Sequence, residues 1–359
     1  MHMADALLSP AVGGTMWAVS AGTIAYCSGK VRREIDDSKI PLMGVLGAFI
    51  FAAQMINFTI PVTGSSGHLG GGLILAILLG PYAAFLTIAS VLMVQALFFA
   101  DGGLLALGCN IFNLGFFPAF IAYPFIYKKI VCNKPTAANI SIASMLAAIV
   151  GLQMGAFGVV LETVFSGISS LPFSTFVAMM QPIHLAIGIV EGLVTASVVS
   201  FVYKARPEIM QCAMEGHPIG SHPVRNIVLA FLAVALVTGG FVSWFASKNP
   251  DGLEWSITKV TGQEELKGPE QGVHAALKTL QERIAFLPDY SFRKPAGVKK
   301  EETKPETAQA GQPVLPEQKG AEEPKSPVGT SVAGLVGGTI TLGFAFLIGF
   351  ILKRRKGAA

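Results

Sequence analysis

The chain has 359 residues, of which 52% are apolar and only 13% are charged, and its formal net charge is +4. Soluble domains carry about 25% charged residues, so the composition excludes an ordinary soluble protein and predicts an integral membrane protein. The small net charge gives no reason to expect a nucleic acid partner. The cysteines form no CxxC pair and are interpreted as ordinary small residues; they are Cys27, Cys109, Cys132 and Cys212.

Nine apolar segments are long enough, or nearly long enough, to cross a bilayer. In chain order they cover 9–28, 40–58, 69–80, 82–100, 103–127, 138–162, 182–203, 225–246 and 329–352. The third is short and rich in glycine, and Gly80-Pro81 separates it from the fourth. We predict an all-α integral membrane fold, with a bundle of about seven transmembrane helices. Two C-terminal transmembrane helices then flank an extracytoplasmic segment.

Basic residues cluster after four of these segments, at 30–33, 128–129, 204–206 and 353–356. Nine spans with an outside N-terminus place all four clusters in the cytoplasm, as the positive-inside rule requires. The sequence therefore predicts a multi-pass protein of the cell membrane with its C-terminus in the cytoplasm. No Lys or Arg precedes Lys30, so no secretory signal is expected and the start is predicted to be the mature one.

The organisation of the spans changes at about residue 207. Residues 1–207 are predicted to form a compact polytopic domain with short loops, and residues 208–359 a second module with two spans around a soluble segment. Within this segment, residues 295–327 are rich in Lys, Glu, Pro and Thr without periodicity. That composition predicts a disordered linker.

The chain begins with Met1-His2, whose nitrogens can form a metal chelate. The free amine of residue 1, the backbone nitrogen of residue 2 and the His2 imidazole can bind one ion as fused rings, with three nitrogens nearly in a plane. Planar nitrogen ligation favours Ni(II) or Cu(II) over zinc. The alternative is a start residue followed by an arbitrary one.

A second histidine, His68, lies in the sequence PVTGSSGHLGGG, on the same predicted outer face as His2. Neutral imidazole binds metal near pH 7, so His68 is a candidate fourth donor; a lone histidine in a glycine-rich turn can instead be structural. Gln95, Asn110 and Asn113 flank a turn at 101–103. These amides could hydrogen-bond the metal ligands or tie helices together.

The absent motifs limit the function further. The chain has no GxxxxGK[ST], HExxH or GxSxG motif, so it binds no nucleotide through a P-loop, and no catalytic residue or cofactor is predicted. If the chain takes part in uphill transport, another chain must hydrolyse ATP.

The same residues carry a family resemblance. The N-terminal Met-His, SGHLGGG around His68 and QALFFADGGLLALGCNIFN resemble the CbiM/NikM family, the substrate-binding membrane components of energy-coupling-factor cobalt and nickel transporters. This likeness covers residues 1–207. PDGLE at 250–254 is similar to the signature of the small NikN/CbiN-like component, so the chain resembles a NikMN-type fusion.

The resemblance implies a bundle of about seven helices and a transported Ni(II) ion, with Co(II) as the alternative. It implies that the Met1 amine, the His2 backbone nitrogen and imidazole, and the His68 imidazole hold the metal. It also implies a transmembrane coupling protein and ATPase subunits as partners. One departure is that Met3-Ala4-Asp5-Ala6 replaces the family's Ile-Pro-Asp-Gly, which puts the geometry of this turn in question.

Two other classes of function compete with nickel uptake by such a transporter. A stand-alone secondary permease usually carries intramembrane carboxylates as ion relays, and only Glu191 lies deep in a predicted span. A membrane metalloenzyme needs an open coordination position and a general base, which a planar site of four nitrogens does not offer.

Overall fold

The computed structural model describes residues 2–132, 135–220, 222–263, 266, 268–293 and 327–356. Its regular structure is helical apart from one short antiparallel hairpin, formed by β1 (Phe58–Ile60) and β2 (Ser65–Gly67). The all-α prediction is therefore confirmed. The predicted linker over 295–327 lies outside the described residues, except for Pro327, which begins the last helix.

A helix overlaps each predicted segment, but the helix over the seventh segment begins at Phe173 rather than at 182, and the helix over the eighth ends at Gly240 rather than at 246. In chain order they are α1 (Pro10–Glu34), α2 (Lys39–Gln54), α3 (Gly72–Leu79), α4 (Pro81–Phe99), α5 (Leu107–Val131), α6 (Ala137–Ser166), α7 (Phe173–Ala205), α8 (Pro207–Glu215), α9 (Arg225–Gly240), α10 (Gly252–Thr261), α11 (Val273–Ile284) and α12 (Pro327–Lys356). Single 3₁₀ turns occupy Asp5–Leu7, Val242–Phe245 and Pro288–Tyr290. Much of α5 is wound as a π-helix, in a stretch where Pro118 and Pro124 supply no N–H.

Five of the described helices, α4 to α7 and α12, are long and apolar enough to cross a membrane, whereas α2 and α9 are apolar but shorter. The third predicted span, 69–80, is helical only over the eight residues of α3. Eight residues rise about 12 Å, less than half of the roughly 30 Å hydrocarbon core. The helix starts late because Gly71, with φ 76°, lies outside the helical region, and Gly80, with φ 82°, separates α3 from α4 as predicted.

The basic clusters gather at one end of the bundle, here called the basic end and defined by residues 30–39, 128–132, 204–220 and 353–355. Arg32 donates to the carbonyl oxygen of Arg355 at 3.2 Å, and Lys128 to that of Met214 at 2.6 Å. The Asp37 carboxylate pairs with Lys353. These contacts join segments from both halves of the chain on one face.

The opposite end is here called the loop end and comprises residues 2–8, 55–71, 100–106, 242–263 and 268–293. Each of these segments begins or follows a helix whose other terminus lies at the basic end. The loop end therefore collects His2 and His68 on one side of the bundle, as the sequence predicted.

The last helix ties the C-terminal residues to the bundle. α12 packs along α2 and crosses α9 where Gly239 and Gly334 meet. A Cβ atom at Gly334 would lie 2.3 Å from the carbonyl oxygen of Gly239, so the two backbones are in direct contact. Small residues allow such approach between membrane helices, which holds the C-terminal segment over the loop end.

Candidate metal centre

The N-terminal segment is held by the start of α5 and by the turn that precedes it. Met3 is fully buried, and its N–H donates to Asn110 Oδ1 at 2.8 Å, while Asn110 Nδ2 donates back to the Met3 carbonyl at 3.3 Å. Two residues after Met3, the Asp5 carboxylate accepts the Ala106 N–H at 3.0 Å. The segment that departs from the family pattern thus has defined contacts, and they place His2 against residues 101–106.

The His2 and His68 imidazoles lie face to face. Their ring centroids are 4.9 Å apart and the planes differ by 7°, and the two side chains are 8% and 7% exposed. His2 Nδ1 is 3.0 Å from Asp101 Oδ1, and its Nε2 is buried without a hydrogen-bond partner among the described residues. His2 and His68 are separated along the chain by α1 and α2. Their side chains nevertheless form one buried imidazole pair.

His68 contacts oxygen atoms on both sides of its ring. Nδ1 is 3.1 Å from the carbonyl oxygen of Leu69, and Nε2 is 3.7 Å from Asp251 Oδ2. Burial lowers the pKa of His68 from its usual value. The neutral form therefore dominates at pH 7, and neutral imidazole is the form that binds metal.

Buried polar side chains bind the backbone of the loop that carries His68. The Glu191 carboxylate accepts the N–H groups of Gly70 at 2.8 Å and Gly71 at 3.0 Å. Gln54 donates to the Gly70 carbonyl at 2.8 Å and accepts from Gln95 at 2.9 Å. The backbone polar groups of Gly70 and Gly71 are therefore paired with side chains that are themselves buried.

The three amides singled out in the sequence have separate roles in the structure. Asn110 holds the backbone next to His2, and Gln95 reaches the His68 loop through Gln54. Asn113 donates to Glu162 at 2.7 Å and so joins α5 to α6. These contacts bring Asn110 and Gln95 close to the imidazoles, but not Asn113.

Two carboxylates that the sequence did not single out as site residues, Asp101 and Asp251, each contact one imidazole. Burial opposes the ionisation of Asp101, but the adjacent His2 and the Tyr290 hydroxyl hold its pKa below the usual carboxyl value. Asp101 therefore carries a negative charge beside His2. An Asp in an apolar stretch, as in FFADGG, is the signal that could have identified it.

Side chains alone do not complete a metal site here. Among the described residues, no group of three or more His, Cys, Asp or Glu side chains is arranged to hold a metal ion. The Met1 amine, predicted as a donor, lies outside the described residues. Donors from the backbone and the amino terminus are therefore needed if His2 and His68 bind metal, as the chelate hypothesis requires.

The segment after α9 covers the His68 loop. The Ser66 N–H donates to the carbonyl of Pro250 at 2.8 Å, and the Ser66 hydroxyl to that of Asn249 at 2.7 Å. The Trp255 indole N–H donates to the Thr63 carbonyl at 3.0 Å. These bonds attach the start of α10 to the hairpin that leads to His68.

The following segment, at 273–290, reaches the other two parts of the site. His274 Nε2 donates to the carbonyl of Leu8, at 2.8 Å, and Gln281 Nε2 donates to the carbonyl of Gly102, also at 2.8 Å. The Tyr290 hydroxyl donates to Asp101 Oδ2 at 2.5 Å. The C-terminal segment therefore contacts all three pieces of chain that surround the imidazole pair.

Comparison with known families matches both parts of the chain. Residues 2–209 match the CbiM model, described as a cobalt uptake substrate-specific transmembrane region. Residues 225–354 match the PDGLE domain.

Relatives with known names cover the first of these parts. An Archaeoglobus fulgidus protein named as a fused nickel transport protein NikMN is 36% identical over 59% of this chain and 68% of its own length. A Haloquadratum walsbyi protein named for metal transport is 37% identical over 58% of this chain and 93% of its own. The crystal structure of a truncated transition metal transporter aligns with a TM-score of 0.51 and 30% identity, over 57% of this chain and 99% of that one.

Proposed function

The chain belongs to the CbiM family of cobalt uptake substrate-specific transmembrane regions, fused to a PDGLE domain, and from this premise we propose that it binds Ni(II) for uptake by an energy-coupling-factor transporter. As a multi-pass component of a metal transporter it is not an enzyme. The observation that carries the proposal is the buried, stacked pair of His2 and His68 at the loop end.

In this proposal four nitrogens hold the cargo ion: the Met1 amine, the His2 backbone nitrogen, the His2 imidazole and the His68 imidazole. The neutral state of His68 and the fixed backbone of Met3 support it, since both prepare donors before the metal arrives. His2 Nδ1 closes the chelate ring only after it leaves Asp101. Nickel is preferred over cobalt because planar nitrogen ligation suits it, and relatives from Archaeoglobus fulgidus and Rhodobacter capsulatus are named as nickel transport proteins.

The proposed topology has about seven transmembrane helices in the 1–207 domain and two more in the 208–359 module. The basic end faces the cytoplasm under the positive-inside rule, and the loop end with the N-terminus faces outside. A transmembrane coupling protein and ATPase subunits complete the transporter. The absence of a P-loop motif from the sequence supports separate ATPase chains.

The test is the metal content of the full chain, purified with an untagged amino terminus and titrated with Ni(II) and Co(II) by calorimetry. We expect about one tightly bound nickel ion per chain, and weaker binding of cobalt, because the donors are planar nitrogens. Equal or tighter binding of cobalt would favour the cobalt alternative. Absence of binding for both ions would contradict the proposed function.

The PDGLE segment is proposed to aid metal binding by keeping the site assembled. It contacts the hairpin before His68, the N-terminal segment and the turn at Asp101. Deletion of residues 247–327, with α9 and α12 rejoined by a flexible linker, should therefore lower nickel uptake in cells that contain the partner chains. Membrane fractionation checks that the shortened chain is still inserted. Wild-type uptake by an inserted deletion variant would refute this role.

A further inference from the structure

We propose that Glu191 sets the tautomer of His68 through the peptide unit between Leu69 and Gly70, and so acts as a positioning residue for the cargo ion. The inference deepens the proposed function, because His68 is one of the nitrogen donors named there. Glu191 lies on α7 and is buried. It is the carboxylate that a secondary permease would need as an ion relay, and the structure gives it contacts of another kind.

Both oxygens of the Glu191 carboxylate accept backbone N–H groups of the His68 loop. Oε2 accepts from Gly70 at 2.8 Å, and Oε1 accepts from Gly71 at 3.0 Å. A Cβ atom at Gly70 would lie 3.1 Å from Oε2, so a residue without a side chain allows the backbone to come this close. A relay carboxylate has to meet a passing ion or proton, whereas these two oxygens are bound to the loop.

The first of these bonds orients the peptide unit that follows Leu69. In a trans peptide the N–H and the C=O lie in one plane and point in opposite directions, and the Leu69–Gly70 peptide is trans. Because Glu191 accepts the Gly70 N–H, the Leu69 carbonyl of the same unit points away from the carboxylate. It points to His68, whose Nδ1 lies 3.1 Å from this oxygen.

The next peptide unit is bound on both of its edges. Glu191 accepts the Gly71 N–H, and Gln54 Nε2 donates to the Gly70 carbonyl at 2.8 Å. Gln54 is itself buried. Rotation of the Leu69 carbonyl away from His68 would therefore break hydrogen bonds to buried side chains, which is costly.

This carbonyl determines which nitrogen of His68 can bind a metal. A carbonyl oxygen only accepts hydrogen bonds, so its contact with Nδ1 places the ring proton on Nδ1. In neutral imidazole the other nitrogen, Nε2, then has the lone pair that binds metal. On that side of the ring the Asp251 oxygen is 3.7 Å from Nε2, longer than a hydrogen bond, so the Leu69 contact decides the tautomer.

The negative charge of Glu191 adds to this effect. It polarises the peptide unit between the two side chains, because hydrogen bonds in a chain strengthen one another. A stronger bond from Nδ1 to the Leu69 carbonyl makes Nε2 a better donor to metal. The helix α7 thus prepares His68 as an Nε2 ligand before the ion arrives.

The first test compares Glu191→Gln with Glu162→Gln in the full chain without metal. Glutamine matches glutamate in size but has one acceptor oxygen and no charge, so one of the two N–H bonds is lost. Glu162 is the matched control, since it is also a buried carboxylate but is bound by Asn113 rather than by the loop. NMR of isotope-labelled histidine reports which ring nitrogen is protonated, and the signal missing from His68→Ala identifies His68. We expect the Nδ1–H tautomer in the wild type and in Glu162→Gln, and a mixture of tautomers in Glu191→Gln.

The second measurement is nickel calorimetry of the same proteins with a free amino terminus. The nickel Kd should rise by about tenfold or more in Glu191→Gln and stay unchanged in Glu162→Gln. If Glu191→Gln does not insert into the membrane, Glu191→Asp replaces it. Its carboxylate is one methylene shorter, so the tautomer and the Kd should change in the same direction.

A proton on Nε2 of His68 in the metal-free wild type would overturn the inference, and so would a wild-type tautomer in Glu191→Gln. Equal losses of nickel affinity in the Glu191 and Glu162 variants, with the His68 tautomer unchanged, would also overturn it, since they indicate an effect of buried charge alone. If the wild type binds no nickel but its His68 tautomer responds to Glu191→Gln, the proposed function fails and the control of His68 by Glu191 stands.

Discussion

Replacement of His68 by alanine should raise the nickel Kd by at least about 100-fold, because loss of a direct ligand costs more than the 10–100-fold typical of groups that only orient a ligand. The loop itself should keep its conformation in this variant. Glu191 and Gln54 still bind the backbone of Gly70 and Gly71, and these contacts do not involve the imidazole. The measurement is nickel calorimetry on the full chain, with thermal unfolding as the check on folding.

The matched control is His217→Ala. His217 is 69% exposed at the basic end, where it lies 3.2 Å from Glu215, so its loss should leave the nickel Kd unchanged. Nickel affinity that survives in His68→Ala would remove His68 from the ligand set. Equal losses in the two variants would point to non-specific binding by surface histidines.

Blocking the amino terminus should have an effect of similar size. A histidine-free Gly/Ser tag placed before Met1 converts the terminal amine into an amide, which removes one nitrogen donor and one chelate ring. We expect the nickel Kd to rise by at least about 100-fold. The neighbouring contacts of Met3 with Asn110 and of Asp5 with Ala106 do not use the amine, so the segment should stay folded.

The control carries the same tag after the C-terminus, at the end of the chain that follows α12. Calorimetry of the two tagged proteins side by side separates an effect on the site from an effect of the tag on the protein. Wild-type nickel affinity in the N-terminally tagged protein would show that the chelate hypothesis is wrong. His2 and His68 would then need other donors.

The sequence predicted most of the helices because their signals are local. Apolar runs near the bilayer thickness predict spans, and in the structure Ser9 and Thr136 cap the starts of α1 and α6. The largest difference in bounds is at α7, which begins at Phe173, nine residues before the predicted span. The short helix α3 also differs, since the sequence extended it to 69–80. Hydropathy counts Leu69 to Gly71 as apolar, but it does not report that Gly71 adopts a left-handed conformation and leaves the helix.

The candidate site was predicted in part. The sequence placed His2 and His68 on one face, and the structure stacks the two rings; their binding of metal stays a prediction. Asp101 and Asp251 were not identified as site residues, since an acidic residue in a turn or a helix cap has an ordinary local explanation. No local sequence pattern marked Tyr290 as a residue of the site, because its hydroxyl contacts Asp101, which lies 189 positions away in the chain.

The sequence by itself determined the class of the protein, the helical segments, the end of the bundle that carries the basic clusters, and the two histidines. These properties depend on composition and on spacing within one segment, which the chain displays directly. The tertiary structure alone decided which carboxylate faces which imidazole, and that the PDGLE segment lies over the His68 loop. Such contacts join Ser66 to Pro250 across 184 positions. They depend on how helices cross and dock, which hydrophobic periodicity does not specify.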